Sequence, residues 1–252
     1  MGRLLKVEQV KRSFGSLHAL DGVSLSVDEK TLTILIGPNG SGKTTLINVI
    51  TGFQKPDSGR IYYGESEITG WSPQRVYEQG IARTFQIPAM FGRLSTLENL
   101  LVADKNHPGE SFSKAALKRL WRGHEQDVTD KASKILELLG LTEQIDTPAS
   151  LLSGGQMKLV ELGRALMSDA KLYLLDEPVS GVNPTLAHGI FERIIALREQ
   201  YGLTFLIIEH RLDIALKYVD YVNAMAAGRL IAAGPPKEVI ADPKVVEAYL
   251  GG

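Results

Sequence analysis

The sequence predicts an α/β fold built around a phosphate-binding loop, with an antiparallel β part and an inserted helical segment. Three observations predict it. A glycine-rich stretch at residues 37–45, GPNGSGKTT, follows an apolar β-branched run and precedes a helical one. Helical periodicity dominates residues 87–150, and strand and helix patterns alternate again from residue 171.

The glycine-rich stretch has the residue types that an anion-binding loop needs. Its glycines let the backbone turn tightly and point N–H groups at a phosphate, because no Cβ blocks the approach. Lys43 would reach the β- and γ-phosphates of a nucleotide, and the Thr44 hydroxyl would take one Mg²⁺ position. Helix capping would explain Thr45 equally well. The predicted nucleotide-binding residues here are Gly37, Pro38, Asn39, Gly40, Ser41, Gly42, Lys43, Thr44 and Thr45.

Composition limits the function classes. The 252 residues are 44% hydrophobic and 23% charged, enough for one large α/β domain or a core with a satellite subdomain. A net charge of -1 gives no reason to expect nucleic acid as a partner, and the absence of cysteine excludes disulfides. We expect no signal peptide and no membrane span, because the first residues lack a long apolar segment and no run reaches about 18 apolar residues.

The segments before residue 87 read mainly as strands. Residues 4–10, 23–27 and 59–63 are short alternating or β-branched stretches between turn residues, as in an antiparallel sheet, and residues 81–85 form a further strand. We place Phe14 in the linker between the first two. An aromatic ring there could stack on a nucleotide base, although simple packing is the commoner role.

The later segments follow in order. We expect helices at 94–102, 114–121 and 128–139, then strands at 172–175, 203–208, 218–225 and 229–233 and helices at 184–200, 212–217, 237–240 and 244–250.

The strand at 172–175 ends in two acidic residues. Asp176 would lie near the phosphate loop and hold Mg²⁺ directly or through water. Glu177 could orient and deprotonate an attacking water. Acidic strand ends are common, so this pair gains its meaning from the phosphate loop.

A second helix start resembles an anion site. Residues 152–156 read LSGGQ, and apolar residues at 159, 162, 163 and 166 mark one face of the helix that follows. Ser153 can cap that helix while the two glycines expose its amides. Simple capping does not explain why one chain carries two such sites.

Together these motifs resemble those of ABC-transporter ATPases. Residues 37–44, Gln86, 152–156, 172–177 and His210 match the Walker A, Q-loop, signature, Walker B and H-loop motifs in order and spacing. The resemblance implies one P-loop ABC ATPase domain over 1–252. Its α/β core with the antiparallel β part would cover 1–86 and about 157–252, and a helical subdomain about 87–156.

The resemblance also implies roles. ATP and Mg²⁺ are the implied cofactors, with Thr44, Gln86 and Asp176 around the metal. Glu177 is the implied general base, His210 contacts the γ-phosphate, and Phe14 stacks on adenine. In a head-to-tail dimer, Ser153 and Gly155 of one protomer would cover the γ-phosphate bound by Lys43 of the other. The implied residues of the signature motif are Ser153, Gly154, Gly155 and Gln156.

Within this family the chain looks like the ATP-binding subunits of branched-chain amino-acid importers. Residues 19–25, 80–86 and 247–251 carry that likeness, and lipopolysaccharide-export and urea or amide-import ATPases share several of the features. Asn183 replaces the Asp that most ABC ATPases have in the D-loop, here residues 180–184, and Asn at this position is similar to the importer subgroup. The departures from the wider family are Lys30 for Gly, Met157 for a polar residue, and Arg211 for Asp.

The implied function is ATP hydrolysis that powers a membrane transporter. The implied partners are a second ATP-binding subunit, identical or different, with ATP at the interface, integral membrane permease subunits, and a solute-binding protein. The implied location is the cytoplasmic face of the membrane. A soluble ABC protein acting on DNA or the ribosome is disfavoured by the single cassette and near-neutral charge. A catalytically silent cassette is disfavoured by the intact Lys43, Asp176, Glu177 and His210.

Overall fold

The structure is a computed structural model that describes residues 2–86, 89–105 and 122–250. The predicted helix at 114–121 lies outside these residues. The strands are β1 (Arg3–Phe14), β2 (Leu17–Asp28), β3 (Leu32–Ile36), β4 (Ser58–Tyr63), β5 (Ser66–Glu67), β6 (Ile81–Arg83), β7 (Leu172–Asp176), β8 (Thr204–Ile208), β9 (Tyr221–Ala226) and β10 (Arg229–Gly234). The helices of the described part are α1 (Lys43–Ile50), α2 (Pro73–Gln79), α3 (Thr96–Leu101), α4 (Arg122–Leu138), α5 (Gly154–Leu166), α6 (Pro184–Tyr201), α7 (Leu212–Ala215), α8 (Pro236–Ala241) and α9 (Pro243–Leu250).

Two sheets organise these elements. The first is antiparallel, in the order β2-β1-β4-β5. The second has the order β10-β9-β3-β8-β7-β6, parallel from β9 to β6 with β10 antiparallel at one edge. Ile208 of β8 is level with Leu35 of β3 and Asp176 of β7. The residues that follow these three strands therefore meet at one edge of the sheet, where ligands bind in such folds.

The six-stranded sheet is buried on both faces. In β7, Tyr173 and Leu175 join the apolar cluster formed with α3 to α6, whereas Leu172 and Leu174 join the cluster formed with α1 and the antiparallel sheet. Strands buried on both faces read as continuous apolar runs, which is why residues 172–175 were recognisable. The predicted α/β architecture with an antiparallel β part is confirmed.

The placement of Phe14 in a linker is wrong. β1 and β2 are each 12 residues long and are separated by Gly15 and Ser16 alone, so Phe14 is the last residue of β1 and pairs with Leu17. A register shift between Val7 and Val10 interrupts the alternation of buried and exposed residues. The hydrogen-bonded ladder continues through polar residues that the hydrophobic pattern did not mark.

Smaller differences have local causes. The helix α2 was not predicted, although Ser72 caps it and Pro73 opens it. β9 begins at Tyr221 rather than 218, because Tyr218 still belongs to the turn after α7, where its amide donates to the carbonyl oxygen of Ala215 at 3.0 Å. The predicted domain boundary near residue 157 falls inside α5 and stays a prediction.

The helices over residues 2–86, 89–105 and 122–250 are all too short or too polar to cross a bilayer.

Candidate nucleotide site

The phosphate loop fits its surroundings only with glycine at two positions. Gly37 has φ 148°, and a Cβ there would lie 2.1 Å from the carbonyl oxygen of Met225. Gly42 has φ 101°, and its Cβ would lie 2.5 Å from the carbonyl oxygen of Ala19. Both distances are far below van der Waals contact. The loop is therefore wedged between β9 and β2 in a conformation that side chains would prevent.

The start of α1 and Lys43 provide the positive charge of the loop. Gly42 is the N-cap of α1 and no side chain caps the helix, so the first-turn amides can face an anion. Lys43 Nζ donates to the carbonyl oxygens of Gly37 at 2.7 Å and Pro38 at 3.0 Å, and the residue is only 6% exposed. Burial lowers the pKa of Lys43, and the carboxylates of Glu177 and Asp176 oppose that effect. Lys43 thus lies within electrostatic reach of both acids.

Asp176 ends β7 in a buried position and pairs with an arginine. The Asp176 Oδ2 atom lies 3.2 Å from Arg83 Nη2, and Arg83 Nη1 donates to Asn48 Oδ1 of α1 at 2.6 Å. The guanidinium also lies over the ring of Phe85, 5.0 Å from its centroid. Burial lowers the pKa of Arg83, and Asp176 counteracts this. Sequence reasoning missed Arg83, although its position just before Gln86 could have marked it.

Three of the predicted catalytic residues meet at Glu177. Its Oε2 accepts a hydrogen bond from Gln86 Nε2 at 2.9 Å, and its Oε1 lies 3.4 Å from His210 Nε2. Glu177 has φ 50°, a left-handed conformation that costs a non-glycine residue about 1–3 kcal/mol. Its amide donates to the carbonyl oxygen of Ile208 at 2.9 Å, which fixes the turn. The Glu177 carboxylate is therefore directed towards Gln86 and His210 by a backbone conformation that lowers the stability of the fold.

A second buried acid supports this corner. Glu209 is 1% exposed, and its carboxylate accepts the amides of Val179, His210 and Arg211 at 2.9, 2.9 and 3.1 Å. It thus joins the loop after β7 to the residue that carries the His210 imidazole. Sequence reasoning missed Glu209, although a charged residue at the end of the apolar strand β8 was a visible signal.

The signature motif is built as a helix start. Ser153 Oγ accepts the amide of Gln156 at 3.3 Å, and Gln156 Oε1 accepts the amide of Ser153 at 2.9 Å. Ser153 and Gly154 are exposed, whereas a Cβ on buried Gly155 would lie 2.0 Å from Leu186 Cδ2 of α6. The capping interpretation of Ser153 is confirmed. Its role towards a phosphate stays a prediction.

Some predicted residues are not brought together. Phe14 is 43% exposed, and its ring lies 4.9 Å from the Arg12 guanidinium carbon. Within the described ranges, no hydrogen bond joins Phe14 or Ser153 to the phosphate loop. The stacking role of Phe14 stays a prediction.

The C-terminal helix reaches the phosphate loop. The Tyr249 hydroxyl of α9 accepts the Gly37 amide at 2.8 Å, and burial raises the pKa of Tyr249. Sequence reasoning used this tail only for its family likeness. A contact between residues so far apart in the chain leaves no pattern in a single sequence.

The unusual residues keep the local backbone geometry. Lys30 has φ 60°, so it adopts the turn that a glycine would adopt. Asn183 caps α6 by accepting the amide of Leu186 at 3.0 Å. Arg211 Nη1 donates to the carbonyl oxygen of Val182 at 3.3 Å, and Met157 is half-buried against the apolar core.

The donor set suits Mg²⁺. The Asp176 carboxylate, the Thr44 hydroxyl and the Gln86 amide oxygen are hard oxygen ligands, which this ion prefers. The described residues contain no cluster of three or more His, Cys, Asp or Glu side chains able to hold a metal. Phosphate oxygens and water would have to complete the coordination, as at other nucleotide sites.

Two family models match the sequence. The model described as ABC transporter matches residues 20–180, and that described as branched-chain amino acid ATP-binding cassette transporter matches residues 229–252. The second match contains α9 and Tyr249.

Curated relatives cover nearly the whole chain. A probable branched-chain amino acid transport ATP-binding protein LivG of Methanocaldococcus jannaschii is 50% identical over 252 residues, covering 98% of this chain and 97% of that protein. The high-affinity branched-chain amino acid transport ATP-binding protein BraF of Pseudomonas aeruginosa is 35% identical over 249 residues, covering 98% of both.

Two solved structures of ATP-binding cassettes are similar to this chain over nearly its whole length. An ATP-binding cassette of an ABC transporter in its ADP conformation has a TM-score of 0.88 and 49% identity, with all of both chains covered. A nucleotide-free cassette has a TM-score of 0.87 and 49% identity, covering 99% of this chain and 100% of the other.

Proposed function

The chain belongs to the family of ABC transporter ATP-binding subunits, which are ATPases, and from this premise we propose how its own residues bind and hydrolyse MgATP. The loop amides and Lys43 hold the phosphates, and the adenine stacks on Phe14. In the structure the Lys43 ammonium donates to loop carbonyls. When ATP binds, the ammonium leaves these carbonyls and contacts the β- and γ-phosphates. The start of α1 supports this role, because no side chain caps the helix and its first-turn amides can bind an anion.

Glu177 deprotonates the attacking water. The single observation that carries this assignment is that its carboxylate touches both Gln86 and His210, at 2.9 and 3.4 Å. Gln86 orients the water, and His210 fixes the carboxylate and the γ-phosphate. Mg²⁺ held by Thr44, Gln86 and Asp176 supplies charge neutralisation at the phosphates. General-base assistance of this kind is worth roughly 10²- to 10⁴-fold in rate.

A complete site needs two protomers. Ser153 and Gly155 of one protomer cover the γ-phosphate bound by Lys43 of the other, with a second ATP-binding subunit, identical or different, supplying the complement. The exposure of Ser153 and Gly154 supports this, because a partner's nucleotide can approach the start of α5 at these two residues.

The transported solutes are branched-chain amino acids. The names of the relatives, at 50% and 35% identity over nearly the whole chain, support this class over lipopolysaccharide or urea and amides. Integral membrane permease subunits carry the solute, a solute-binding protein delivers it, and this chain acts at the cytoplasmic face. A net charge of -1 gives no support to nucleic acid as a partner.

The test of the chemistry is Glu177→Gln. It keeps the side-chain size and removes the base, so ATP binding should persist while phosphate release falls at least about 100-fold and ATP-bound dimers accumulate in size-exclusion chromatography. The control is Glu143→Gln, the same change at an exposed position. Undiminished phosphate release from the Glu177 variant would remove it as the base.

The test of the solute is uptake. The chain co-purified with its permease subunits and reconstituted in vesicles should drive ATP-dependent leucine uptake that isoleucine and valine inhibit. Uptake of urea instead, with none of leucine, would reject the proposed solute while leaving the ATPase chemistry intact.

A further inference from the structure

Three polar side chains of α5 hold the main chain of the Q-loop segment, which we define as the described residues Phe85, Gln86 and Ala89. Lys158 Nζ donates to the carbonyl oxygen of Gln86 at 2.5 Å, and Glu161 Oε1 accepts the amide of Phe85 at 2.7 Å. Arg164 Nη1 donates to the carbonyl oxygen of Ala89. Residues three apart on a helix lie on one face, so the three contacts form a ladder along α5.

Lys158 makes a second contact that links the ladder to the site. The same ammonium donates to the carbonyl oxygen of Glu177 at 3.2 Å. One cation therefore holds the main chains of Gln86 and Glu177, whose side chains are themselves bonded at 2.9 Å. The two contacts of Lys158 are with main-chain carbonyl oxygens and leave the side-chain atoms that would act on water unoccupied by the lysine.

The ladder is shielded from solvent at its centre. Glu161 is 9% exposed, and burial raises its pKa, while the Phe85 amide and then the charges of Lys158 and Arg164 oppose that effect. A carboxylate in such a place needs its partners, because an unpaired buried charge is strongly unfavourable. Lys158 and Arg164 flank it along the helix and provide the opposite charge.

We propose that Lys158 is a positioning residue for hydrolysis, and that Lys158, Glu161 and Arg164 make α5 and the Q-loop segment move as one unit. This inference rests on the catalytic roles proposed above for Gln86 and Glu177. Because α5 begins at the Ser153 cap, a shift of that end against a phosphate is transmitted directly to Gln86 and Glu177. The ladder thus couples closure over one nucleotide to the arrangement of the general base in the same chain.

Lys158→Met tests the positioning role in the full chain, since it keeps the aliphatic stem and removes the donor. We expect kcat for ATP hydrolysis to fall about 10- to 100-fold, while KM for ATP changes less than about threefold and the melting temperature stays above the assay temperature. Lys237→Met, the same change at an exposed lysine of α8, should behave as wild type. The double variant Lys158→Met with Gln86→Ala should have a kcat little lower than that of either single variant, because both changes disturb the same unit.

Amide exchange tests the ladder without any turnover. Glu161→Gln keeps an acceptor oxygen and should leave the Phe85 amide protected, whereas Glu161→Leu should accelerate its exchange at least about tenfold through local opening. An unchanged Phe85 exchange rate in Glu161→Leu would overturn the ladder, and so would wild-type kcat in Lys158→Met. Glu177→Gln run in parallel separates the two proposals: if it alone keeps full turnover, the catalytic assignment fails, and the exchange result still decides the ladder.

Discussion

The hydroxyl of Tyr249 accepts the backbone amide of Gly37 at 2.8 Å, so the last helix of the described chain is bonded to the first residue of the phosphate loop. Gly37 is buried and has no room for a side chain, because a Cβ would meet the Met225 carbonyl oxygen at 2.1 Å. The C-terminal helix α9 is therefore part of the support of the nucleotide site.

Tyr249→Phe removes this acceptor and keeps the ring. We expect the free energy of unfolding to fall by about 1–3 kcal/mol, the cost of an unsatisfied buried amide. We also expect weaker ATP binding, because the loop loses one fixed end. Urea unfolding and equilibrium ATP titration measure the two effects. The same change at Tyr201, an exposed residue at the end of α6, should alter neither, and equal behaviour of the two variants would contradict the supporting role of α9.

Glu209→Gln should disturb both stability and catalysis. The Glu209 carboxylate accepts three amides, from Val179, His210 and Arg211, with two of them on Oε2. A glutamine amide group must turn its own N–H towards at least one of these donors. We expect a loss of about 2–3 kcal/mol in urea unfolding.

The rate effect of Glu209→Gln has a clear control. Because the Glu209 carboxylate fixes the backbone of His210, phosphate release should fall as well, whereas the exposed change Glu143→Gln should have no effect on either quantity. A destabilised Glu209 variant with full turnover at a temperature where it is folded would show that Glu209 supports only the fold.

The parts of the site that the sequence predicted are those whose chemistry restricts the residue types. A loop that must approach phosphate needs glycines, and a buried strand that must end in a carboxylate is visible as an apolar run before Asp176 and Glu177. Family likeness then supplied Gln86 and His210, and the structure brings both to Glu177 at 2.9 and 3.4 Å.

The distant partners of the supporting residues were not predictable from one sequence. Arg83 and Tyr249 act through partners 93 and 212 positions away in the chain, and Glu209 joins its neighbours His210 and Arg211 to Val179, 30 positions away. No local periodicity records such distant pairs. The misplaced strand end at Phe14 has a different cause. Its ladder runs through polar residues, so the backbone hydrogen bonds and not the hydrophobic pattern extend β1.

Lys30→Gly should stabilise the protein. Lys30 has φ 60°, a region that a side chain adopts at a cost and glycine adopts freely. Its amide would keep the hydrogen bond to Thr204 Oγ1, 2.9 Å away. We expect a gain of about 0.5–1 kcal/mol in urea unfolding after the greater flexibility of glycine in the unfolded chain is taken into account. Lys30→Ala keeps the Cβ and should give no such gain. A loss of stability in the glycine variant would show that the Lys30 side chain contributes more than its backbone strain costs.

The two glycines of the signature motif should respond differently to the same change. In Gly155→Ala the new methyl group would lie 2.0 Å from Leu186 Cδ2, so either the Leu186 side chain must leave its position or α5 and α6 must separate, and we expect a loss of about 1–3 kcal/mol in urea unfolding. Gly154→Ala meets no atom within 4 Å and removes a flexible residue from the first turn of α5, so stability should be unchanged or slightly higher. Adding Leu186→Ala to Gly155→Ala should recover part of the loss, because the obstructing atom is gone. If the double variant loses as much free energy of unfolding as the two single variants lose together, packing against Leu186 does not explain why residue 155 is a glycine.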